Sequence, residues 1–489
     1  MNKKNLAWVS LITINLFWLG LNLRNNAVGV IFMPYLVDRF VDEGLRNSAL
    51  GGMRTAGLVI AMLVQPAMGL LSDRSRSRFG RRRPFLLVGV LLDLAFLAWI
   101  ALAGNFWSLL AAVLFIQFSS NISHGPLQAL IPDLVPEEQR GRASAVKAIF
   151  ELLPVVLLGL TIAPLVGAGQ FGWAVVATGG GLVLILVATL FTVQESPLEE
   201  PVTAPLRPAL VRVTGMLVGI GLGGLVGLAG GIIAGGMAGF VAILLGYPNQ
   251  AWTAGLAAGG VVAMAIAVLV GVGAGVRTTL GKLPREQGCF QWWVVNRLMF
   301  LAAITSIQGF APFFLMYAFG VNAERAAAMT GQLMTTVGIF TLVSAIPAGW
   351  ISDRIGQKRL LEISGLLAAA GTGILLGTVW LPDMRVITLA GSILGLATGL
   401  FVTVNWALGT RLVPGQEAGR YLGVSNLAGA GAGMIGSGIG GPLADLLNAS
   451  TPGLGYFVIF SGYLLLFILS SLSLLGVREQ AKSVTYANA

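Results

Sequence analysis

Long apolar stretches separated by short polar segments dominate this sequence. A helix needs about 20 mainly apolar residues to cross the hydrocarbon core of a bilayer. Fourteen stretches meet that length, at approximately 7–37, 48–71, 84–104, 106–131, 143–167, 172–193, 211–245, 251–276, 290–319, 328–351, 359–380, 385–407, 421–446 and 455–476. The pattern predicts an all-α integral membrane protein with about 14 transmembrane helices. The first stretch is longer than the apolar region of a cleavable signal peptide, so we expect a retained helix.

The composition supports a membrane protein and excludes several other classes. Hydrophobic residues make up 56% of the chain and charged residues 10%, whereas soluble domains carry about 25% charged residues. One Cys and one His cannot build a disulfide framework or a multi-histidine metal centre. The phosphate-binding pattern Gly-x-x-x-x-Gly-Lys-Ser/Thr does not occur, which argues against ATP hydrolysis. We therefore expect no enzyme activity, no cofactor and no metal.

The net charge of +10 follows from the sidedness of the loops and does not indicate a nucleic-acid partner. Most Lys and Arg residues fall in the loops on one side of the predicted spans, which is the positive-inside distribution. This distribution predicts that both termini are cytoplasmic. We expect a multi-pass protein of the plasma (inner) membrane, in contact with lipid. The outer side receives few basic residues beyond Arg39, Arg46, Arg54, Arg325 and Arg385.

Two sequence segments occur twice, which predicts an internal duplication. The segment Gly69–Arg74 is echoed by Gly349–Arg354, and Leu134–Arg142 is echoed by Leu412–Arg420, at offsets of 280 and 278 residues. Each copy holds six predicted spans, so we expect two six-helix bundles at 1–193 and 290–489. The segment 194–289 is then a linker that carries two inserted transmembrane helices. Parallel six-helix repeats are typical of one large transporter fold.

The repeated segments carry a resemblance to a known family. Gly69-x-x-x-Asp73-Arg74, followed by Gly80-Arg81-Arg82-Arg83, resembles the loop motif of the major facilitator superfamily. The extended version from Ser72 to Pro84, together with the segment from His124 to Leu134, is similar to the sucrose-transporter-like or glycoside–pentoside–hexuronide cation symporter branch. The resemblance covers both halves of the chain and leaves out the inserted pair. It implies the major facilitator fold and transport by alternating access.

The chain departs from that branch at two positions of its fourth helix. In the sucrose-transporter pattern this helix carries an acidic residue and an arginine that are tied to proton coupling and sugar binding. Aligned through Gly125-Pro126, their positions are occupied by Gln117 and Gln128. The resemblance therefore supports the fold, while it implies neither sucrose specificity nor that coupling mechanism.

The loop motifs provide candidate gating residues. An Asp at a helix end can pair with Arg or cap the N-terminus of a neighbouring helix. Such a contact would hold two bundles together in one state and break in the other, and Arg81 and Arg82 are possible partners of Asp73. A charged turn that merely obeys the positive-inside rule is the alternative. The candidates are Gly69, Asp73, Arg74, Gly80, Arg81, Arg82, Gly349, Asp353 and Arg354.

Polar residues inside the predicted spans point to a substrate path. Gln117, Asn121, His124 and Gln128 follow one another at spacings of 4, 3 and 4, which places them on one helix face. We interpret this stripe as the wall of a central hydrophilic path. The alternative is a polar seam that hydrogen-bonds to another helix.

Charged residues deep in the spans need partners or a water-filled cavity. Arg24 lies between Asn22 and Asn26 in the first span, and Asp93 and Glu151 are the acids available to it. Either acid could pair with Arg24 or carry a coupling proton, and a static ion pair is the alternative.

Three residues of the second half complete the candidate path. Gln308 lies deep in its span, and Asn405 with Trp406 offers an amide beside an indole, as many sugar sites do. Trp406 fits an interfacial aromatic belt as well. We expect Arg297 to extend towards the cytoplasmic surface.

These observations favour a secondary active transporter that couples the uptake of a sugar or glycoside to a cation, either proton or sodium. An exporter of amphipathic small molecules is the first alternative. A non-transporting membrane assembly factor on the same fold is the second. We expect the protein to act as a monomer.

Overall fold

The computed structural model describes residues 6–193, 195, 207–280, 288–412 and 418–477. Within these residues the chain forms fourteen long helices. In the first half they are α1 (Trp8–Asn26, a π-helical segment Ala27–Phe32, and Met33–Phe40), α2 (Arg46–Ser72), α3 (Arg83–Ala101), α4 (Phe106–Leu127, extended by Leu130–Leu134), α5 (Arg140–Leu157, a π-helical segment Leu158–Ile162, and Ala163–Gly167) and α6 (Phe171–Thr192).

The remaining helices are α7 (Arg207–Leu244), α8 (Ala251–Leu280), α9 (Gly288–Phe319), α10 (Ala323–Ile355), α11 (Gln357–Gly377), α12 (Met384–Leu412), α13 (Ala418–Ser450) and α14 (Leu454–Ser473). By length and composition, 12 described helices can cross a membrane. The helices α1 and α13 are of similar length and pack among them. The predicted all-α membrane fold is confirmed.

Two bundles meet along two helix pairs, α2 with α13 and α5 with α10. Both contacts depend on small residues that let the backbones approach each other. A Cβ atom added to Gly51 of α2 would lie 2.3 Å from the carbonyl oxygen of Ser437, and one on Gly159 of α5 would lie 2.1 Å from that of Gly331. Any larger side chain at these positions would force the bundles apart.

The two ends of the molecule differ in how the bundles are joined. We call the end that carries the loop between α2 and α3 the arginine-rich end, and the other the opposite end. At the opposite end, Asp445 of α13 accepts hydrogen bonds from the backbone N–H of Ser48 at 2.7 Å and from Nδ2 of Asn47 at 2.8 Å, in the first turn of α2. Tyr35 of α1 also donates to Glu324 of α10 at 3.2 Å. The opposite end is therefore closed by contacts between the bundles.

The described ends of the chain lie at the arginine-rich end. The backbone N–H of Leu6 donates to Oε1 of Gln139, which precedes α5, at 2.8 Å. The Nζ of Lys358 at the start of α11 donates to the carbonyl oxygen of Val477 at 3.0 Å. The first and last described residues of the chain therefore lie on the same side of the molecule.

The inserted helices α7 and α8 form a tightly packed hairpin. A Cβ on Gly223 would lie 2.5 Å from the Cα of Gly271, and one on Gly235 would lie 2.6 Å from the carbonyl oxygen of Gly255. Most contacts of α8 outside the hairpin are with α13, α9 and α14, while α7 touches α2. The hairpin thus lies mainly against the bundle formed by α9–α14.

Candidate functional site

Arg24 of α1 and Asp93 of α3 form an ion pair inside the first bundle. Nη2 of Arg24 donates to Oδ2 of Asp93 at 2.6 Å, and their side chains are 2% and 1% exposed. Ser119 of α4 donates to the other carboxylate oxygen, and Nη1 of Arg24 donates to Asn25 at 2.7 Å. Of the two acids that the sequence offered to Arg24, the structure places Asp93 beside it. The pair is shielded from the space between the bundles.

Glu151 of α5 lies in a different setting. Its carboxylate is 3.4 Å from the Nζ of Lys147, one turn earlier, and the two side chains are 35% and 26% exposed. The Lys147 ammonium lies 4.2 Å from the centre of the Trp18 ring of α1, and that ring meets the edge of His124 of α4 at 5.3 Å. A cation and an indole, neither singled out by the sequence pattern, therefore link the predicted residues His124 and Glu151.

Three of the four residues in the polar stripe of α4 retain accessible surface. Gln117, His124 and Gln128 are partly exposed, and Asn121 is buried with its Nδ2 donating to the backbone of Gln117 at 2.7 Å. The Gln117 side chain lies against Gly57 of α2, where a Cβ would approach it to 3.0 Å. The stripe thus runs beside α2 and keeps accessible amide and imidazole groups along three turns.

Asn22 and Asn26 of α1 also face accessible space. Their side-chain amides donate back to the helix, Asn22 to Trp18 at 2.9 Å and Asn26 to Asn22 at 2.8 Å. Both residues are partly exposed. Both amide side chains therefore retain accessible surface.

A matching stripe runs along α9 in the second bundle. Arg297, Leu301, Thr305 and Gln308 retain accessible surface, while the intervening residues are buried. Their spacings of 4, 4 and 3 place them on one face of the helix. Gln308 also borders an apolar cavity enclosed by helices of this bundle. The sequence singled out Gln308 but did not identify the whole stripe.

Arg297 is held by a hydrogen bond and an aromatic ring, and it does not extend freely to the surface as expected. Its Nη1 donates to Oδ1 of Asn405 at 2.9 Å, and its guanidinium lies 5.4 Å from the centre of the Trp406 ring. Nδ2 of Asn405 donates in turn to Asn296 at 2.9 Å. Asn405 and Trp406 thus position a cation at the α9 wall.

Arg54 does not lie where the sequence analysis placed it. The sequence grouped it with outer basic residues, yet it lies in the third turn of α2 and points between the bundles. Its Nη2 donates to the carbonyl oxygen of Gly29, in the π-helical segment of α1, at 2.5 Å. Its Nη1 lies only 1.4 Å from where a Cβ of Gly309 on α9 would be. The guanidinium therefore touches α1 and α9 at once, in space that only a glycine leaves.

The arginine-rich loop forms a network within the first bundle. Arg82, 2% exposed, pairs with Asp73 and with Asp133, and Arg81 also pairs with Asp133. The backbone N–H of Arg82 donates to Glu195 at 2.6 Å. Asp73 therefore has one of its two suggested arginine partners. This contact connects parts of one bundle, so a role as a latch between bundles stays a prediction.

The two loop motifs share their local geometry. The hydroxyl of Ser72 donates to the carbonyl oxygen of Gly69 at 2.7 Å, and that of Ser352 donates to Gly349 at the same distance. Gly80 and Gly356 follow at φ of +107° and +92°, values that favour glycine.

The remaining motif residues differ between the copies. Arg74 lies in the turn that follows α2, and the Gly69 backbone passes close to Gly125 of α4. Asp353 is exposed, and the Arg354 guanidinium stacks 3.7 Å from the centre of the Trp350 ring. Among the described residues, no group of three or more His, Cys, Asp or Glu side chains could hold a metal ion.

Two family models match the two halves of the chain. One described as MFS/sugar transport protein matches residues 18–218, and one described as Major Facilitator Superfamily matches residues 294–487. The segment between them contains most of α7 and all of α8.

Curated relatives are similar over part of their length. The chain is 35% identical over 127 residues to sucrose transport protein SUT1 of Oryza sativa subsp. japonica, which covers 21% of the chain and 23% of that protein. It is 33% identical over 200 residues to proton-associated sugar transporter A of Homo sapiens, covering 36% and 25%. It is 30% identical over 220 residues to solute carrier family 45 member 3 of Mus musculus, covering 39% and 38%. The chain thus matches less than half the length of these relatives, which are transporters rather than enzymes.

Solved structures match the fold over nearly the whole chain. A D-xylose-proton symporter aligns with a TM-score of 0.62 at 16% identity, covering 95% of each chain. The nucleoside transporter NupG aligns with a TM-score of 0.61 at 11% identity, covering 95% of this chain and 99% of that one. At such identities the likeness establishes the arrangement of helices alone.

Proposed function

We propose, because the chain belongs to the major facilitator superfamily, that it is a secondary active transporter whose two six-helix bundles rock about a central site. The observation that carries this proposal is the pair of accessible polar stripes, one on α4 and one on α9, in different bundles. Amides, an imidazole and a hydroxyl on these stripes suit a polyhydroxylated solute. The sugar transporters among the relatives support the same class of substrate.

We assign the arginine-rich end to the cytoplasm, since basic loops remain on the cytoplasmic side of membrane proteins. The closed opposite end then faces outward, and the partly exposed Lys147 and Glu151 side chains are reached from within the cell. This state is open to the inside. Both termini are cytoplasmic in this orientation, and the protein acts as a monomer in the plasma (inner) membrane.

Glu151 is our candidate for coupling to a cation. It is accessible from the path, and its ion pair with Lys147 on the same helix is half-exposed and easily exchanged. A proton or a sodium ion at Glu151 would weaken its ion pair with Lys147 and so release the lysine side chain. Asp93 is less suited to this task because a buried arginine and a serine already occupy both of its carboxylate oxygens.

Export of amphipathic molecules is the second candidate function. The cavity beside Gln308 is lined mostly by apolar side chains, including Ile307, Met334, Leu394 and Phe460. An amphipathic solute could place its apolar part there and its polar part on the α9 stripe.

Transport by the purified full-length chain in proteoliposomes separates these functions. We expect saturable sugar uptake that rises when a proton or sodium gradient is imposed and falls when the gradient is collapsed. Gradient-driven movement of lipophilic compounds without sugar uptake would favour the exporter. Absence of transport across both panels would contradict the proposed function and favour a non-transporting role.

A further inference from the structure

The segments that face the central path carry more cationic groups than carboxylates. Among the described residues, Asp93 neutralises Arg24, and Glu151 pairs with Lys147. Arg54 and Arg297 have no carboxylate within ion-pair distance in this part of the chain. The imbalance places positive charge where a substrate must pass.

Arg54 is the less compensated of the two. Its guanidinium carries five N–H donors, and its hydrogen bond among the described residues is the one to the Gly29 carbonyl oxygen. Arg297, by contrast, is supported by the Asn405 amide and by the Trp406 ring. Burying a cation without an anionic partner is costly, so such a group is retained where something else supplies the negative charge.

Arg54 lies in a position from which it can hold a substrate. It touches α1 of the first bundle and Gly309 of the second, near the closed end of the path. Gln117 lies against Gly57, one turn along α2, and the exposed Thr305 lies one turn from Gly309 on α9. If one group of a solute is bound at Arg54, the rest of that solute lies among these polar side chains.

We propose that Arg54 binds an oxyanion of the substrate, so that the solute is an anionic sugar derivative and not a neutral sugar. Guanidinium matches carboxylate and phosphate oxygens in a two-point geometry, and either chemistry satisfies the free donors. This inference rests on the proposed function as a sugar transporter. Arg297 lies on α9, 12 residues and about 18 Å before Gly309. It attracts the same charge nearer the arginine-rich end.

Binding by the detergent-purified full-length protein tests the inference. The ligands are glucose, glucuronate and glucose 6-phosphate, and their dissociation constants are measured by calorimetry at one ionic strength. We expect glucuronate and glucose 6-phosphate to bind more tightly than glucose. The one with the lower dissociation constant shows whether the site prefers a carboxylate or a phosphate. Arg54→Gln should weaken acid binding about 10- to 100-fold, the usual effect of losing a hydrogen bond between charged groups.

Two control variants separate binding from folding. Arg54→Lys keeps the charge without the two-point geometry and should give intermediate affinity. Arg39→Gln removes a charge from an exposed residue at the closed end and should leave affinity unchanged. Arg54→Gln should not lower the melting temperature of the ligand-free protein. A lower melting temperature with unchanged acid affinity would assign Arg54 a structural role and overturn the inference.

The remaining outcomes distinguish the inference from the function on which it rests. Equal binding of glucose and glucuronate, in wild type and in Arg54→Gln, would overturn the anionic substrate and leave sugar transport standing. Absence of binding for every sugar, neutral or acidic, would contradict the sugar substrate and the inference together.

Discussion

Asp445, near the end of α13, accepts the backbone N–H of Ser48 in the first turn of α2 at 2.7 Å. A residue of one bundle thus caps a helix of the other. The first turn of a helix has unpaired N–H groups and a partial positive charge, so a carboxylate there is doubly favoured. The contact exists only while the opposite end is closed, and it therefore favours the closed arrangement.

Removing this cap should open the opposite end more often. Loss of an N-cap costs about 1 kcal/mol, so Asp445→Ala should raise the open population roughly fivefold. Labelling of Thr55→Cys, in a Cys289→Ser background, by an impermeant maleimide measures this opening. Asp383→Ala is the matched control, because Asp383 accepts from the backbone N–H of Arg385 in the first turn of α12, the helix that directly follows it in the same bundle. Equal labelling rates in both variants would show that Asp445 does not hold the end closed.

The buried pair of Arg24 and Asp93 should be a stability element. Asp93→Asn leaves a buried arginine without its partner and should cost about 3–5 kcal/mol of unfolding free energy. Replacing both residues by Met and Leu should restore most of that loss, since no unpaired charge remains. Thermal unfolding in detergent measures each variant. An unchanged melting temperature in Asp93→Asn, with loss of cation coupling, would move the coupling role to Asp93.

Substitution of Glu151 should separate coupling from solute movement. Glu151→Gln cannot release a proton or bind a cation by charge, so gradient-driven uptake should be lost while exchange of labelled for unlabelled solute continues. The pH dependence of exchange should also flatten. Proteoliposome assays with and without a gradient measure both activities. Glu362→Gln, an acid on α11 away from the path, serves as control, and normal driven uptake in Glu151→Gln would remove that residue from the mechanism.

Gly309 should be indispensable for the position of Arg54. The added methyl group of Gly309→Ala would occupy the place of the Arg54 Nη1, so the guanidinium must leave its site. We expect ligand affinity to fall about as much as in Arg54→Gln. Gly52→Ala on α2 meets no atom within 4 Å and should instead stabilise its helix by up to about 1 kcal/mol. Unchanged affinity in Gly309→Ala would place the ligand elsewhere.

The sequence predicts what depends on local pattern. Apolar length predicts the helices, and the spacing of the α4 stripe predicts which side chains share a face. The need of Arg24 for an acid also follows from its depth in the membrane, although two acids were equally available. The choice of Asp93 depends on Ser119 and on the packing of α3 against α4, which no spacing within one helix reveals.

Arg54 shows why the remaining contacts of the candidate site could not be predicted from the sequence. A basic residue near a helix start can extend to the surface or turn inward, and the pattern along α2 does not distinguish these cases. The turn inward depends on Gly309, far away in the sequence, which leaves space for the guanidinium. The contact between Asp445 and the start of α2 is equally remote along the chain.

The hairpin of α7 and α8 makes the two halves unequal partners in the membrane. Because α8 packs on α9, α13 and α14, the hairpin adds its mass and its lipid-facing perimeter to one bundle. The viscous drag of the bilayer opposes rotation of the larger body more than that of the smaller one. Relative to the surrounding lipid, the bundle of α1–α6 would therefore rotate more during transport, and the bundle that carries the hairpin would rotate less.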